Sequence, residues 1–384
     1  MTQTSILPTA PAGPSEAWQD SPLRPLIEQA LDAAGGWLGF DAFMALALYA
    51  PGCGYYASGS RKFGHLPRSG SDFVTAPELS PHFGRALARQ VGEALQATGT
   101  SELWEFGAGT GALAEHLIAS LDAAGTPLTR YNIVDLSGSL RERQQTRLAA
   151  CRERVRWLQE LPASLRGVVI GNEVLDAMPV QLLVRLGGVW HERGVVLHDG
   201  RLAWADRPTA LRPALAVEGP HDYLTEIHAQ AEGFVRTLAD RLSAGAIFLI
   251  DYGFPEHEYY HPQRSMGTLM CHRGHVADAD PLAQPGLKDI TAHVNFTGVA
   301  LAGQEAGLQV LGYTGQGRFL INCGLLEGMA DAPLAERVML QKLVNEHEMG
   351  ELFKVIGFAA NPAQQPYDGW QALGFAQGDR SHTL

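Results

Sequence analysis

Residues 105–111 read EFGAGTG, so Glu105, Gly107, Gly109 and Gly111 alternate between an apolar run, SELWEF, and a helical pattern, GALAEHLIASLDAAG. Glycines at a strand-to-helix turn let the backbone bend sharply and let a ligand approach it closely. The helix that follows presents unpaired N–H groups at its N-terminus. Two ligand classes use such a turn. A dinucleotide rests its pyrophosphate there, and S-adenosylmethionine lays its methionine portion over the loop. The spacing also fits G-x-G-x-x-G/A with Ala112 as last position, so the glycines alone do not choose between the two.

The acids downstream narrow the choice. Asp135 ends the apolar run RYNIVD, where an acid can accept from both hydroxyls of an adenosine ribose, although it falls somewhat later than the ~20 residues usual for dinucleotides. A strand-end Asp opening an Asx-turn is the plain alternative. GNEVLDAMPV sets Asn172, Glu173 and Asp176 just past the buried run GVVI, on the carboxyl edge where ligands bind in such sheets. An amide and two acids there suit a substrate amine or guanidinium, and hydride transfer requires no such cluster. Solvated loop polars, with Asp176 capping a helix, are the structural alternative. Asp251 in LIDYG either lines the same pocket or fixes a turn.

These residues need a scaffold. Strands are expected at SELWEF, RYNIVDLS, VRWLQ, GVVIGNEVLDAMP and AGAIFLIDYG, with helices between them. Alternating strands and helices imply a parallel, doubly wound α/β sheet. Residues 182–206 alternate around Gly187-Gly188 and Asp199-Gly200 and predict antiparallel hairpins. Residues 20–50 and 223–243 read as helical. TAPELSPHFGRALARQVGEAL reads as a helix entry and helix capped by Thr75 or Ser80.

Composition bounds the rest. The 384 residues are 46% hydrophobic, enough for a large core, and the formal net charge of -12 argues against a nucleic-acid binder. No run approaches the ~18 uncharged apolar residues of a membrane span. Cys53, Cys151, Cys271 and Cys323 are scattered, which argues against zinc and a disulfide framework. His257, His261, His272, His275 and His293 match no familiar zinc spacing, so no metal is expected. Trp190, Trp204 and Tyr223 are expected to pack a lid or the core of an insertion, with a partner surface as the alternative. The N-terminus has neither a signal peptide's pattern nor a transit peptide's arginines; the scattered cysteines read as those of a reduced, cytoplasmic protein, and a bacterial one is expected.

Seven segments in order carry a resemblance: GYY (54–56), KFG (62–64), DFVTAPELSPHFG (72–84), EFGAGTG (105–111), NEVLDAMPV (172–180), IDYG (250–253) and DITAHVNFT (289–297). Together they resemble the MidA-type family of S-adenosylmethionine-dependent methyltransferases, which includes the mitochondrial complex I assembly-factor arginine methyltransferase. The resemblance runs from about Leu38 to Phe358. It implies a class I methyltransferase (Rossmann-like) fold, with a mostly parallel sheet, an N-terminal helical segment and inserted hairpin or lid elements. The domains expected are a flexible 1–20, a helical and loop segment 21–100 over the site, and a core 101–384 with insertions near 182–220 and 254–295.

The resemblance implies S-adenosyl-L-methionine held by Glu105, Gly107, Gly109, Gly111 and Asp135, with Thr75, Pro77, Glu78 and the NEVLDA loop closing around cofactor and substrate. Glu173 is expected to clamp an arginine side chain, followed by Asp176, with Asn172 orienting the acceptor or the cofactor's methionine end. The expected partner is an arginine-bearing protein, with a respiratory-complex subunit as one candidate, and a homo-oligomer is compatible. The alternatives are an assembly or chaperone-like factor that uses the fold for partner binding, and a small-molecule methyltransferase. An NAD-dependent oxidoreductase is the weakest. Two positions depart from the family: Asn295 and Arg85 stand where it usually has acids.

Overall fold

The computed structural model describes residues 16–58, 75–135, 138–329, 333–360 and 370–384. The lead-in over 1–15, KFG and the first three residues of DFVTAPELS lie outside them. The described chain divides into two compact units. One comprises residues 16–58, 177–231 and 256–293; the other comprises 75–176, 232–255 and 294–384.

The second unit holds the expected sheet. Its strand order is Leu308–Gly315, Phe353–Ala360, Leu242–Phe254, Leu165–Asn172, Glu102–Phe106, Arg130–Val134, Val155–Leu158. The five from Leu242–Phe254 to Val155–Leu158 are mutually parallel. Phe353–Ala360 runs antiparallel to both its neighbours. Val168, Val169 and Ile170 are all fully buried, as a strand covered on both faces requires. Helices Ala112–Ala123, Gly138–Arg147 and Ala229–Arg241 connect or lead into these strands.

The chain steps outward from Glu102–Phe106 to Val155–Leu158, then resumes on the other side with Leu165–Asn172. Strand order therefore reverses between Glu102–Phe106 and Leu165–Asn172. The crevice beyond the carboxyl ends at such a reversal is where open α/β sheets bind ligands.

Residues 75–100, grouped by sequence with an N-terminal segment, fall in the same unit as the sheet. Helix Pro81–Thr98 buries Phe83, Leu87, Val91 and Leu95 in the core formed with Leu103, Leu113 and Leu117. Ser80 is extended and accepts from the His82 N–H, so it caps this helix. Thr75 stands at the N-cap of the short helix Ala76–Leu79 without a side-chain bond.

The first unit is built on antiparallel pairing. Leu38–Gly39, Val189–His198, Gln181–Leu186 and Tyr223–Ile227 lie in that order, and Arg201–Pro208 pairs with Val189–His198. The hairpins expected within 182–206 are present. The helix expected over 223–243 is corrected in its first part: Tyr223–Ile227 is a strand, and the helix begins at Ala229. Tyr223, Thr225 and Glu226 are buried, and this segment pairs along Gln181–Leu186, so tertiary pairing overrides local helix propensity. The helical stretch 20–50 is two helices, Arg24–Ala33 and Phe40–Tyr49, separated by left-handed Gly35 and Gly36.

Trp190 and Tyr223 meet edge to face under the Arg185 guanidinium, and Trp204 packs on Phe40, so these aromatics pack within the first unit. Among the described residues no helix is long and apolar enough to cross a membrane, and no three His, Cys, Asp or Glu residues gather as a metal site.

Candidate active site

The glycine turn follows Glu102–Phe106. Gly107, Gly109 and Gly111 have φ of 64°, 53° and 84°, a left-handed region that strains any residue with a Cβ. Gly111 is the N-cap of helix Ala112–Ala123 and offers no side-chain cap, so the first-turn N–H groups have no capping side chain. A Cβ on Gly107 would lie 3.1 Å from Val174 Cγ2. The two loops at the switch point thus approach closely where Gly107 is bare.

Two networks fix this turn. In the first, the Thr110 hydroxyl and the Arg147 guanidinium both donate to Glu78 Oε1, and Arg147 also bridges to Glu115. Buried Glu78 is thereby tied to the glycine turn, along with the helix Ala76–Leu79 that carries Pro77. In the second, buried Gln144 donates to the Gly109 carbonyl at 3.0 Å and to Asp135 Oδ2 at 2.8 Å, and accepts from the Trp157 indole at 3.0 Å. Asp135 sits at the end of its strand, as expected. Nothing in the sequence marks Gln144: a glutamine in a polar helix gives no signal of this kind.

Glu105 is buried beneath the turn and accepts from the Tyr131 hydroxyl at 2.7 Å. Burial raises its pKa to about 8; the Tyr131 bond opposes this and the Asp135 charge adds to it. At neutral pH Glu105 is mainly a neutral acid.

At the neighbouring strand end, Glu173 has φ 55°, a left-handed conformation rare for a side-chain-bearing residue. Its N–H donates to the Ile250 carbonyl at 2.8 Å. Strain of this kind collects at functional sites, where surrounding structure holds it. Asn172 Nδ2 donates to Glu173 Oε1 at 3.1 Å, while Asn172 Oδ1 is buried without a hydrogen-bond partner among the described residues. Asp176 caps no helix; residues 173–178 form an irregular turn.

Asp251, fully buried, holds that turn. Its Oδ2 accepts from the backbone N–H groups of Val174, Leu175 and Asp176 at 3.1, 2.9 and 3.2 Å, and its Oδ1 from Tyr252 N–H. Asp251 therefore fixes the loop backbone. Burial, then the carboxyls of Asp176 and Glu173, push its pKa well above the usual carboxylate range, against the N–H bonds of Asp176 and Tyr252. The Tyr252 hydroxyl reaches Asp176 Oδ2 at 2.5 Å. Asn172, Glu173 and Asp176 thus share one loop end, while Glu105, Gly107, Gly109, Gly111, Asp135, Thr75, Pro77 and Glu78 surround the other.

The two departures from the family pattern also have structural settings. Asn295 caps helix Phe296–Glu305 by accepting from Gly298 N–H, a role Asn and Asp fill about equally. Arg85 is exposed on helix Pro81–Thr98.

A doubly wound sheet reversing at a glycine turn, with acids at the two adjoining strand ends, matches the class I methyltransferase architecture. The chain belongs to the Methyltransf_28 family of S-adenosyl-L-methionine-dependent methyltransferases, whose model matches residues 86–314. A Burkholderia thailandensis crystal structure bound to S-adenosyl-homocysteine is 48% identical, with a TM-score of 0.90, covering 98% of this chain and 100% of that one. A native crystal structure from the same organism is 47% identical, with a TM-score of 0.87 and the same coverage. Mitochondrial protein arginine methyltransferase NDUFAF7 of Danio rerio is 26% identical over 366 residues, 84% of this chain and 83% of that protein. The Homo sapiens NDUFAF7 is 25% identical over 393 residues, 90% and 85% of the two chains.

Proposed function

We propose that this methyltransferase transfers its methyl group to an arginine side chain of a protein. The observation that carries the reading is the Asn172–Glu173–Asp176 loop at the switch point, clamped by Asp251. The NDUFAF7 relatives, which are named as protein arginine methyltransferases, support the same acceptor.

The residues fit S-adenosyl-L-methionine. The left-handed glycines expose backbone, and the buried Asn172 Oδ1, without a partner among the described residues, suits the ammonium of a methionine portion. In this reading Gly107, Gly109 and Gly111 face that portion, Asp135 takes the ribose hydroxyls, and Thr75, Pro77 and Glu78 close the turn. Glu105 supports the turn from beneath through Tyr131. When bound, the cofactor supplies a methyl activated on a sulfonium, whose carbon–sulfur bond breaks as the carbon–nitrogen bond forms.

The protein's task is then alignment and exclusion of water. A guanidinium is protonated and its lone pair is delocalised, so it is a poor nucleophile. Glu173 can take two of its N–H groups in a paired bond, orienting it and drawing positive charge away from the attacking nitrogen. The methylated nitrogen then releases one proton, to Asp176 or to water.

The test is Glu173→Gln, assayed by titration with S-adenosylhomocysteine and by methyl transfer from labelled S-adenosylmethionine into extract protein. The reading predicts affinity within about threefold of wild type and transfer reduced at least ~100-fold, in line with loss of a charged orienting group. Undiminished transfer would remove the clamp role from Glu173.

A further inference from the structure

Gln144 is fully buried in the polar helix Gly138–Arg147, and all its hydrogen-bonding functions point at the glycine turn and its surroundings. The Trp157 indole N–H is donor-only, so the amide atom 3.0 Å from it is the oxygen. This fixes the amide orientation and leaves the NH2 group to donate twice. One proton goes to the Gly109 carbonyl at 3.0 Å and the other to Asp135 Oδ2 at 2.8 Å. The helix itself lies against the turn: a Cβ on Gly111 would stand 3.5 Å from Gln144 Cα.

We infer that Gln144 is a positioning residue for the nucleoside end of the site, one that makes recognition of the ribose hydroxyls by Asp135 depend on a side chain that does not itself reach the ligand. The inference rests on the reading that Asp135 holds the ribose. A fixed amide donor on one carboxylate oxygen restricts how that carboxyl presents its remaining acceptor lone pairs, so ribose hydroxyls meet a more preorganised partner. The same amide ties down the Gly109 carbonyl, which turns the loop's donors rather than its acceptor toward bound material. No sequence motif marks this role, because the bonds join residues 9, 13 and 35 positions apart in the chain.

The test is a titration of wild type, Gln144→Leu, Asp135→Asn and the double variant with S-adenosylhomocysteine and with its 2′-deoxy analogue. In wild type the deoxy analogue should bind roughly tenfold or more weakly, as expected for losing a bond to a charged acceptor. In Gln144→Leu, S-adenosylhomocysteine should weaken by a similar factor, and the preference for it over the deoxy analogue should shrink below about threefold. The double variant should be no weaker than Asp135→Asn by more than about twofold, since coupled residues are not additive.

Multiplying penalties, or an intact ribose preference in Gln144→Leu, would overturn the inference. Gln144→Glu guards against a folding defect. It keeps an oxygen for Trp157 but sets a like charge beside Asp135, and it should lose ribose preference while melting cooperatively. Retained preference in this variant would also overturn the role. Wild-type protein that does not bind S-adenosylhomocysteine would instead remove the cofactor reading beneath it.

Discussion

The Tyr252 hydroxyl donates to Asp176 Oδ2 at 2.5 Å. Asp251, the residue before Tyr252, takes the backbone N–H groups of Val174, Leu175 and Asp176. One strand end therefore grips the acidic loop twice, by its backbone and by a side chain. Removing the first grip strands several buried donors, each costing about 1–3 kcal/mol. Asp251→Ala should lower unfolding free energy by at least ~2 kcal/mol in urea titration at neutral pH.

Removing only the second grip should separate rate from binding. Tyr252→Phe keeps the ring against Phe353 and removes one hydrogen bond that orients the Asp176 carboxylate. Methyl transfer should fall roughly tenfold, the rate equivalent of one charge-assisted bond. Affinity for S-adenosylhomocysteine should stay unchanged. Equal loss of both would mean that Tyr252 supports the cofactor side instead.

Glu105 makes stability depend on pH. Its native pKa of about 8 lies above its ordinary 4.5. Between those values the native state keeps a proton that the unfolded chain has released. Its contribution is therefore fully present below about 4.5 and is lost as pH rises through about 8. Between pH 6.5 and 8 wild type should lose stability relative to Glu105→Gln by on the order of 1–2 kcal/mol. That window excludes His228, held neutral with a native pKa of about 3 against an ordinary 6.5. Its contribution has the opposite sign and is lost as pH falls between those two values. Parallel urea midpoints for wild type and Glu105→Gln would contradict the Glu105 assignment.

The Glu78–Thr110–Arg147 network predicts a link between the TAPELS segment and cofactor affinity. Arg147→Ala removes one cation from the buried Glu78 carboxylate and the bond that ties it to helix Gly138–Arg147. If that segment closes the glycine turn, affinity for S-adenosylhomocysteine should drop roughly tenfold by titration, the effect of one lost charged bond. An unchanged affinity would detach the segment from the cofactor site.

Much of this arrangement is legible in the sequence, and the boundary has a physical cause. The strands at 102–106, 130–134, 165–172 and 242–254 are readable because buried parallel strands are continuous apolar runs bounded by Gly, Asp and Asn. The glycine turn and the NEVLDA loop are readable because ligand sites collect at the ends of such strands. Tyr223–Ile227 is not readable as a strand, because its partner Gln181–Leu186 lies far back in the chain. The same holds for Gln144, Arg147 and Tyr252, whose meaning resides in bonds to residues 35, 69 and 76 positions away. Asp251 reads equally as pocket lining or turn anchor until its bonds from the loop N–H groups of Val174, Leu175 and Asp176 are seen.

The central claim is that arginine in a protein is the methyl acceptor. The most direct measurement incubates the purified protein with methyl-labelled S-adenosylmethionine and extract from cells lacking its gene. The labelled protein is then acid-hydrolysed and its amino acids separated, with Gly109→Val as the control that fills the left-handed turn. Label in methylated arginine, absent with the control, is the predicted result. Label confined to another amino acid, or found only in small molecules, would contradict it.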